Sequence, residues 1–208
     1  MSGEFLSLLK KNKIIPVCVF DDPQRALKVA ELLLKYSIDI IEVTIRTDSA
    51  YKCIEMIRKN FPEANVGAGS VLSIDSLNIS KDRGACFAVA PCFDQEVVGF
   101  ASSVNFPFVP GVSTPSELNS ALKTCNVVKI FPAESLGGTG YIKAITAPFK
   151  LKEFYIVPTG GVNEMNYLEY LKLDNVISCG MSYIVDKKLI DEEDYITLEK
   201  RIKGINVK

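Results

Sequence analysis

The sequence predicts an α/β fold of the (β/α)8 TIM-barrel type, formed as one domain over residues 1–208. Three observations lead there. Eight short β-branched or apolar runs recur at fairly even spacing, segments with helical apolar spacing fill the intervals, and no linker interrupts the series.

The runs are "KIIPVCV" (13–19), "IDIIEVT" (38–44), "ANVGAG" (64–69), "ACFAVAP" (85–91), "PFVPG" (107–111), "NVVKIFP" (126–132), "FYIVPTGG" (154–161) and "VISCGMS" (176–182). Helices are expected between them, with polar start signals, as in "DDPQRALKVAELLLKY" after the first run and "TPSELNSALKT" after the fifth. An open doubly wound sheet is the competing architecture. It lacks its fingerprint, because "PVCVFDDP" stands where a GxGxxG turn would follow the first strand.

At 48% apolar and 24% charged residues, a chain of 208 can bury a full core without staples. Its 24 basic residues against 25 acidic ones leave a formal charge of −1, which offers no broad field for nucleic acid or a membrane surface. No apolar run reaches about 18 residues and the first residues show no secretory pattern, so a cytoplasmic setting is expected. Cysteines 18, 53, 86, 92, 125 and 179 are far apart, without a CxxC pair, and read as reduced core thiols. The absence of histidine removes the usual proton shuttle and the commonest zinc ligand. Acid–base chemistry must then fall to a carboxylate, Lys, Tyr or Cys.

Two charged residues interrupt apolar strand patterns. In "IIEVTIRT" the alternation puts Glu42, Thr44 and Arg46 on one face and Ile41, Val43 and Ile45 on the other. In "NVVKIFP" it puts Lys129 and Phe131 on one face and Val128 and Ile130 on the other. Glu42 and Lys129 are thus expected to face the barrel interior, where a charge is costly unless paired or employed. Two readings stand side by side. The pair is a buried salt bridge that only fixes the fold, or Lys129 is an amine nucleophile with Glu42 as its acid–base partner. Arg46 is either the cation that assists the pair or a solvated strand-end residue.

Other strand ends are rich in glycine and hydroxyl groups. "GAGSVL" contributes Gly67, Gly69 and Ser70, and "FVPGVSTPSEL" contributes Gly111 and Ser113. Turn chemistry accounts for most of these glycines. The seventh and eighth runs end in "VPTGGVN" and "SCGMS", at the usual barrel position for phosphate, where bare backbone N–H groups can grip an anion.

Taken together, "EVTIRT" (42–47), "VGAGSVL" (66–72), "PGVSTPSEL" (110–118), "KIFPAESLGG" (129–138) and "PTGGV" (158–162) resemble the 2-keto-3-deoxy-6-phosphogluconate (KDPG) and 4-hydroxy-2-oxoglutarate (KHG) aldolase family. The resemblance implies a class I aldolase without metal or other cofactor, commonly a homotrimer, that cleaves KDPG to pyruvate and glyceraldehyde 3-phosphate in the Entner–Doudoroff route of carbohydrate metabolism. Its partners would be small molecules, a keto acid and a phosphorylated aldehyde.

The resemblance makes Lys129 the Schiff-base residue and Glu42 the proton shuttle. It assigns the pyruvate carboxylate to Arg46, and Ser70 stands where the family often has threonine. Pro91 and Phe131 match apolar walls. Thr159, Gly160, Gly161, the backbone of Met181 and Ser182 match the phosphate end. Gly180 is followed by Met181 where many members carry a second glycine, so a side chain is expected where backbone approaches phosphate. Within the class, a galactonate-series or 4-hydroxy-2-oxoglutarate aldolase is the alternative; outside it, the alternative is a non-catalytic barrel that binds a phosphate ligand.

Overall fold

Residues 3–205 are described by a computed structural model. Among them the eight runs become nine strands: β1 (Ile14–Cys18), β2 (Ile40–Thr44), β3 (Asn65–Gly69), β4 (Phe87–Val89), β5 (Phe108–Val109), β6 (Gly111–Val112), β7 (Val127–Ile130), β8 (Tyr155–Pro158) and β9 (Cys179–Met181). The additional strand arises at Pro110, which has no N–H to give to a ladder and divides the fifth run. Its two halves face different neighbours. β5 pairs with β4, β6 pairs with β7, and the Pro110 carbonyl accepts from Lys129 N at 2.8 Å.

Every paired strand is parallel, in a six-stranded sheet ordered β5-β4-β3-β2-β1-β9 and a three-stranded sheet ordered β6-β7-β8. Isolated parallel bridges join Ile156 to Val176 and Thr159 to Gly180, which ties the β8 segment to the β9 segment. The result is a curled parallel α/β sheet, with helices supplying the crossovers that parallel strands require.

The helices are α1 (Gly3–Lys11), α2 (Pro23–Lys35), α3 (Ala50–Asn60), α4 (Ile74–Asp82), α5 (Gln95–Ser103), α6 (Pro115–Ala121), α7 (Gly138–Thr146), α8 (Tyr167–Leu171), α9 (Lys187–Asp191) and α10 (Tyr195–Gly204). Local chemistry starts the two segments named from sequence. The Asp22 carboxylate accepts from Gln24 N at 2.8 Å with Pro23 in the first turn of α2, while Thr114 and Glu117 form a capping box around Pro115 at α6.

Alternation along the strands divides the apolar residues into two cores. Ile41, Val43, Ala68, Val128 and Ile130 join the cluster that packs against the helices. Ile15, Ile40, Phe87, Val89, Val109, Val127, Val157 and Ile177 form a second cluster on the opposite face. Phe5 and Leu9 of α1 close this second core from one end, with the Phe5 and Phe87 rings 5.1 Å apart. Bare Gly67 makes room for Phe87, whose ring would lie 2.3 Å from a Cβ there. The polar residues Glu42 and Lys129 come two positions after Ile40 and Val127, so they stand on the same face one layer higher.

No helix among the described residues is long and apolar enough to cross a membrane. Cys18, Cys53 and Cys179 are buried free thiols, as expected, but Cys86 and Cys125 are only half-buried and Cys92 is exposed. Burial holds the Cys18 thiol well above its ordinary range and pushes Cys53 and Cys179 up to about 12.

Two outcomes follow from this packing. Leu9→Ala is expected to lower unfolding free energy by about 2–5 kcal/mol in a denaturant titration, since Leu9 is fully buried; a loss under about 0.5 kcal/mol would mean that α1 is not docked. At about pH 8 a thiol reagent should modify Cys92 first and leave Cys18, Cys53 and Cys179 unreacted until the chain is denatured.

Candidate active site

β2 and β7 deliver the two charged residues to one place. Lys129 Nζ lies 3.6 Å from Glu42 Oε1, and the two side chains are 6% and 3% exposed. This spacing is an ion-pair distance but too long for a hydrogen bond. Among the described residues Glu42 Oε1 accepts no hydrogen bond at all. The Phe131 ring centroid is 5.4 Å from Lys129 Nζ, and the Phe131–Pro132 peptide is cis.

The carboxylate fits only because β3 gives way. A Cβ on Gly69 would come within 2.2 Å of Glu42 Oε1. Glycine is therefore required at this position by close approach and not by an unusual φ, a role the turn reading of "GAGSVL" did not separate. Thr44, on the same face as Glu42, donates its hydroxyl to the Cys18 carbonyl at 3.0 Å and so ties β2 to β1 beside the pair.

Lys129, Arg46, Phe131, Thr159, Gly160, Gly161 and Ser182 line one cavity of about 280 Å³. Arg46 is exposed, and its Nε donates to Ser70 Oγ at 2.9 Å. Ser70 holds φ at +62°, in the left-handed region. Clefts elsewhere are larger, including one of about 810 Å³ on the outer surface near α7 and α8, but that cleft contains none of the strand-end residues.

At the far side of the cavity, Gly160 and Gly161 have φ of +94° and +82°, which explains why glycine occupies both positions. Their loop is held from behind. Ala133 N donates to Thr159 O at 2.8 Å, Glu134 N donates to Gly160 O at 3.0 Å, and Tyr170 donates its hydroxyl to Glu134 Oε1. The Gly160 N–H faces the Gly180 carbonyl across the Thr159–Gly180 bridge, whereas no acceptor is recorded among the described residues for the N–H groups of Gly161 and Val162. These two are available to an anion.

Glu42, which sits behind Lys129, and Ser70, Pro91 and Met181 are not among the lining residues. The Pro91 backbone packs where a Gly111 Cβ would stand, and the Met181 side chain is fully buried in the helix-facing core. The expectation that Met181 puts a side chain against the phosphate approach is corrected: Gly180 and Ser182 line the cavity, so alternation turns Met181 away from it. Val17, Val19, Asp186 and Lys187 also line the cavity and were not singled out from sequence. Lys187 had no local signal, because a lysine early in a surface helix reads as solvated charge.

A buried amine beside a carboxylate at strand ends, with a glycine loop on the same cavity, is an arrangement suited to an α/β enzyme. Comparison with known proteins gives the family. The model for "KDPG and KHG aldolase" matches residues 6–201. The chain is 33% identical to the 2-dehydro-3-deoxy-phosphogluconate aldolase of Haemophilus influenzae, covering 97% of this chain and 95% of that one. It is 35% identical to the KHG/KDPG aldolase of Escherichia coli K12, covering 93% and 91%. Among solved structures, the KDPG aldolase of Legionella pneumophila, captured with pyruvate as a covalent carbinolamine, superposes with a TM-score of 0.89 at 34% identity over 95% of both chains. This chain belongs to the KDPG and KHG aldolase family.

The contact between Gly69 and Glu42 is testable on its own. Gly69→Ala should cost about 1–3 kcal/mol of stability by overpacking. Combined with Glu42→Ala, it should cost less than the sum of the two single changes, because the shortened side chain removes the clash. Strictly additive losses in a denaturation cycle would show that the carboxylate does not need the bare position.

Proposed function

We propose that this chain is a class I aldolase that cleaves KDPG to pyruvate and glyceraldehyde 3-phosphate through a Schiff base on Lys129. The carrying observation is the buried amine 3.6 Å from a carboxylate oxygen that accepts no hydrogen bond.

In this reading the neutral Lys129 amine attacks the keto carbon, and loss of water from the carbinolamine leaves a protonated imine. Glu42 takes the proton from the hydroxyl beside the scissile bond. The carbon–carbon bond then parts, its electron pair flows into the imine to give an enamine, and the phosphorylated aldehyde leaves. Glu42 returns a proton to the enamine carbon, and water releases pyruvate from Lys129. The amine must be uncharged to attack.

Arg46 receives the substrate carboxylate, held in aim by its bond to Ser70, and Phe131 forms an apolar wall beside the amine. Thr159, Gly160, Gly161 and Ser182, with the backbone of Met181, receive the phosphate. The unpaired N–H groups of the glycine loop support that assignment. The imine serves as the electron sink, so the reaction as written calls for no metal.

The finer architecture belongs to the same proposal: one (β/α)8 barrel over residues 1–208, acting as a homotrimer in the cytoplasm. Closure is supported by the two partners of the divided fifth strand and by the bridges between the β8 and β9 segments. The trimer rests on family resemblance, and a mass measurement in solution decides it.

Pyruvate with borohydride should trap a reduced adduct on Lys129, located by peptide mass spectrometry, and Lys129→Ala should abolish it. Glu42→Gln should lower kcat for KDPG cleavage by about 10²–10⁴-fold. An adduct on another lysine, or full turnover without Lys129, would refute the proposal.

A further inference from the structure

The far wall of the cavity carries a lysine for which neither the family assignment nor the steps above have a use. After β9 the chain passes Ser182, makes a short 3-10 turn over Tyr183–Val185, and enters α9 at Lys187. Gly180, Ser182, Val185, Asp186 and Lys187 all contribute to the cavity that Lys129 and Arg46 line. We propose that Lys187 is a specificity-determining residue that gives its ammonium to the substrate phosphate. The nature of the substrate rests on the aldolase reading, but the phosphate contact does not.

Three observations carry this. First, the glycine loop offers partial positive charge from N–H groups but no formal cation, while Lys129 is paired with Glu42 and Arg46 is bonded to Ser70. Lys187 follows Ser182 along the chain and lines the same cavity as Thr159, Gly160 and Gly161.

Second, its ammonium has donor capacity to spare. Asp21, from the β1–α2 connection, and Asp191, at the end of α9, each accept one N–H, the latter at 2.6 Å. An ammonium has three donors, which leaves one for an incoming oxygen. The hydrogen bonds it donates to the Asp191 and Asp21 carboxylates raise the Lys187 pKa and keep it charged at neutral pH, where a phosphate monoester is largely dianionic.

Third, both pairs are accessible to water, with side-chain exposures of 40% for Lys187, 51% for Asp21 and 40% for Asp191. Exposed pairs are weak, so reorienting the ammonium toward a dianion costs little.

The test compares the full-length chain with Lys187→Met and Lys187→Arg. Titration calorimetry with sn-glycerol 3-phosphate should show the Kd rising about tenfold in Lys187→Met, the weight of one charge-assisted contact, and recovering to within about threefold in Lys187→Arg. The ratio of kcat/KM for KDPG over unphosphorylated 4-hydroxy-2-oxoglutarate should fall by the same factor in Lys187→Met, chiefly through KM for KDPG. A purely structural rim lysine would lower both substrates alike and leave that ratio unmoved. Equal Kd values for wild type and Lys187→Met, no binding by the wild type, or an unmoved ratio would each overturn the inference. Tight binding of the glycerol phosphate by a wild-type chain that cleaves neither keto acid would instead sink the aldolase reading and leave the role of Lys187 standing.

Discussion

A lysine and a glutamate 3.6 Å apart, both almost wholly withdrawn from water, are the constraint around which the strand ends are arranged. Moving charges into such a place costs several kcal/mol per ion after relaxation, and apolar replacements of buried pairs are often neutral or stabilising. Stability therefore gives no reason for the pair. An amine that must attack a ketone, and a carboxylate that must then move a proton, need this proximity and this dryness.

Several features that look independent serve the same constraint. The apolar layer of Ile40, Val127 and Phe87, closed by Phe5 and Leu9 of α1, fills the space below the pair with hydrocarbon. Gly69 is bare because the carboxylate occupies the volume of its Cβ. Thr44 ties β2 to β1, and the Pro110 carbonyl takes the Lys129 N–H, so the backbone beside each charged side chain is fixed. Above the pair the cavity changes character. Arg46, backed by Ser70, lines it together with the glycine loop and Lys187, which suits an anionic ligand.

Much of this was legible in the sequence because strand alternation is a local rule. Applied to "IIEVTIRT" and "NVVKIFP", it placed Glu42 and Lys129 on the face they occupy and Val43 and Val128 on the other. Applied to Gly180, Met181 and Ser182, the same rule turns Met181 toward the helices. What stayed hidden depends on contacts distant in sequence. Pro110 divides its strand because the two halves find different neighbours. The docking of α1 depends on a hollow that exists only once the sheet has curled, although the Phe5–Leu9 spacing was there to be read. Lys187 acquires meaning only beside Asp21, more than half the chain away.

The central claim is that Lys129 captures a keto acid covalently while Glu42 moves the proton of the resulting enamine. Proton NMR of pyruvate in D₂O with the enzyme tests both parts without any aldehyde or phosphate. The account predicts steady loss of the methyl signal through exchange, abolished in Lys129→Ala and strongly slowed in Glu42→Gln. A methyl signal that persists with the wild-type chain, or exchange that survives without Lys129, would contradict it.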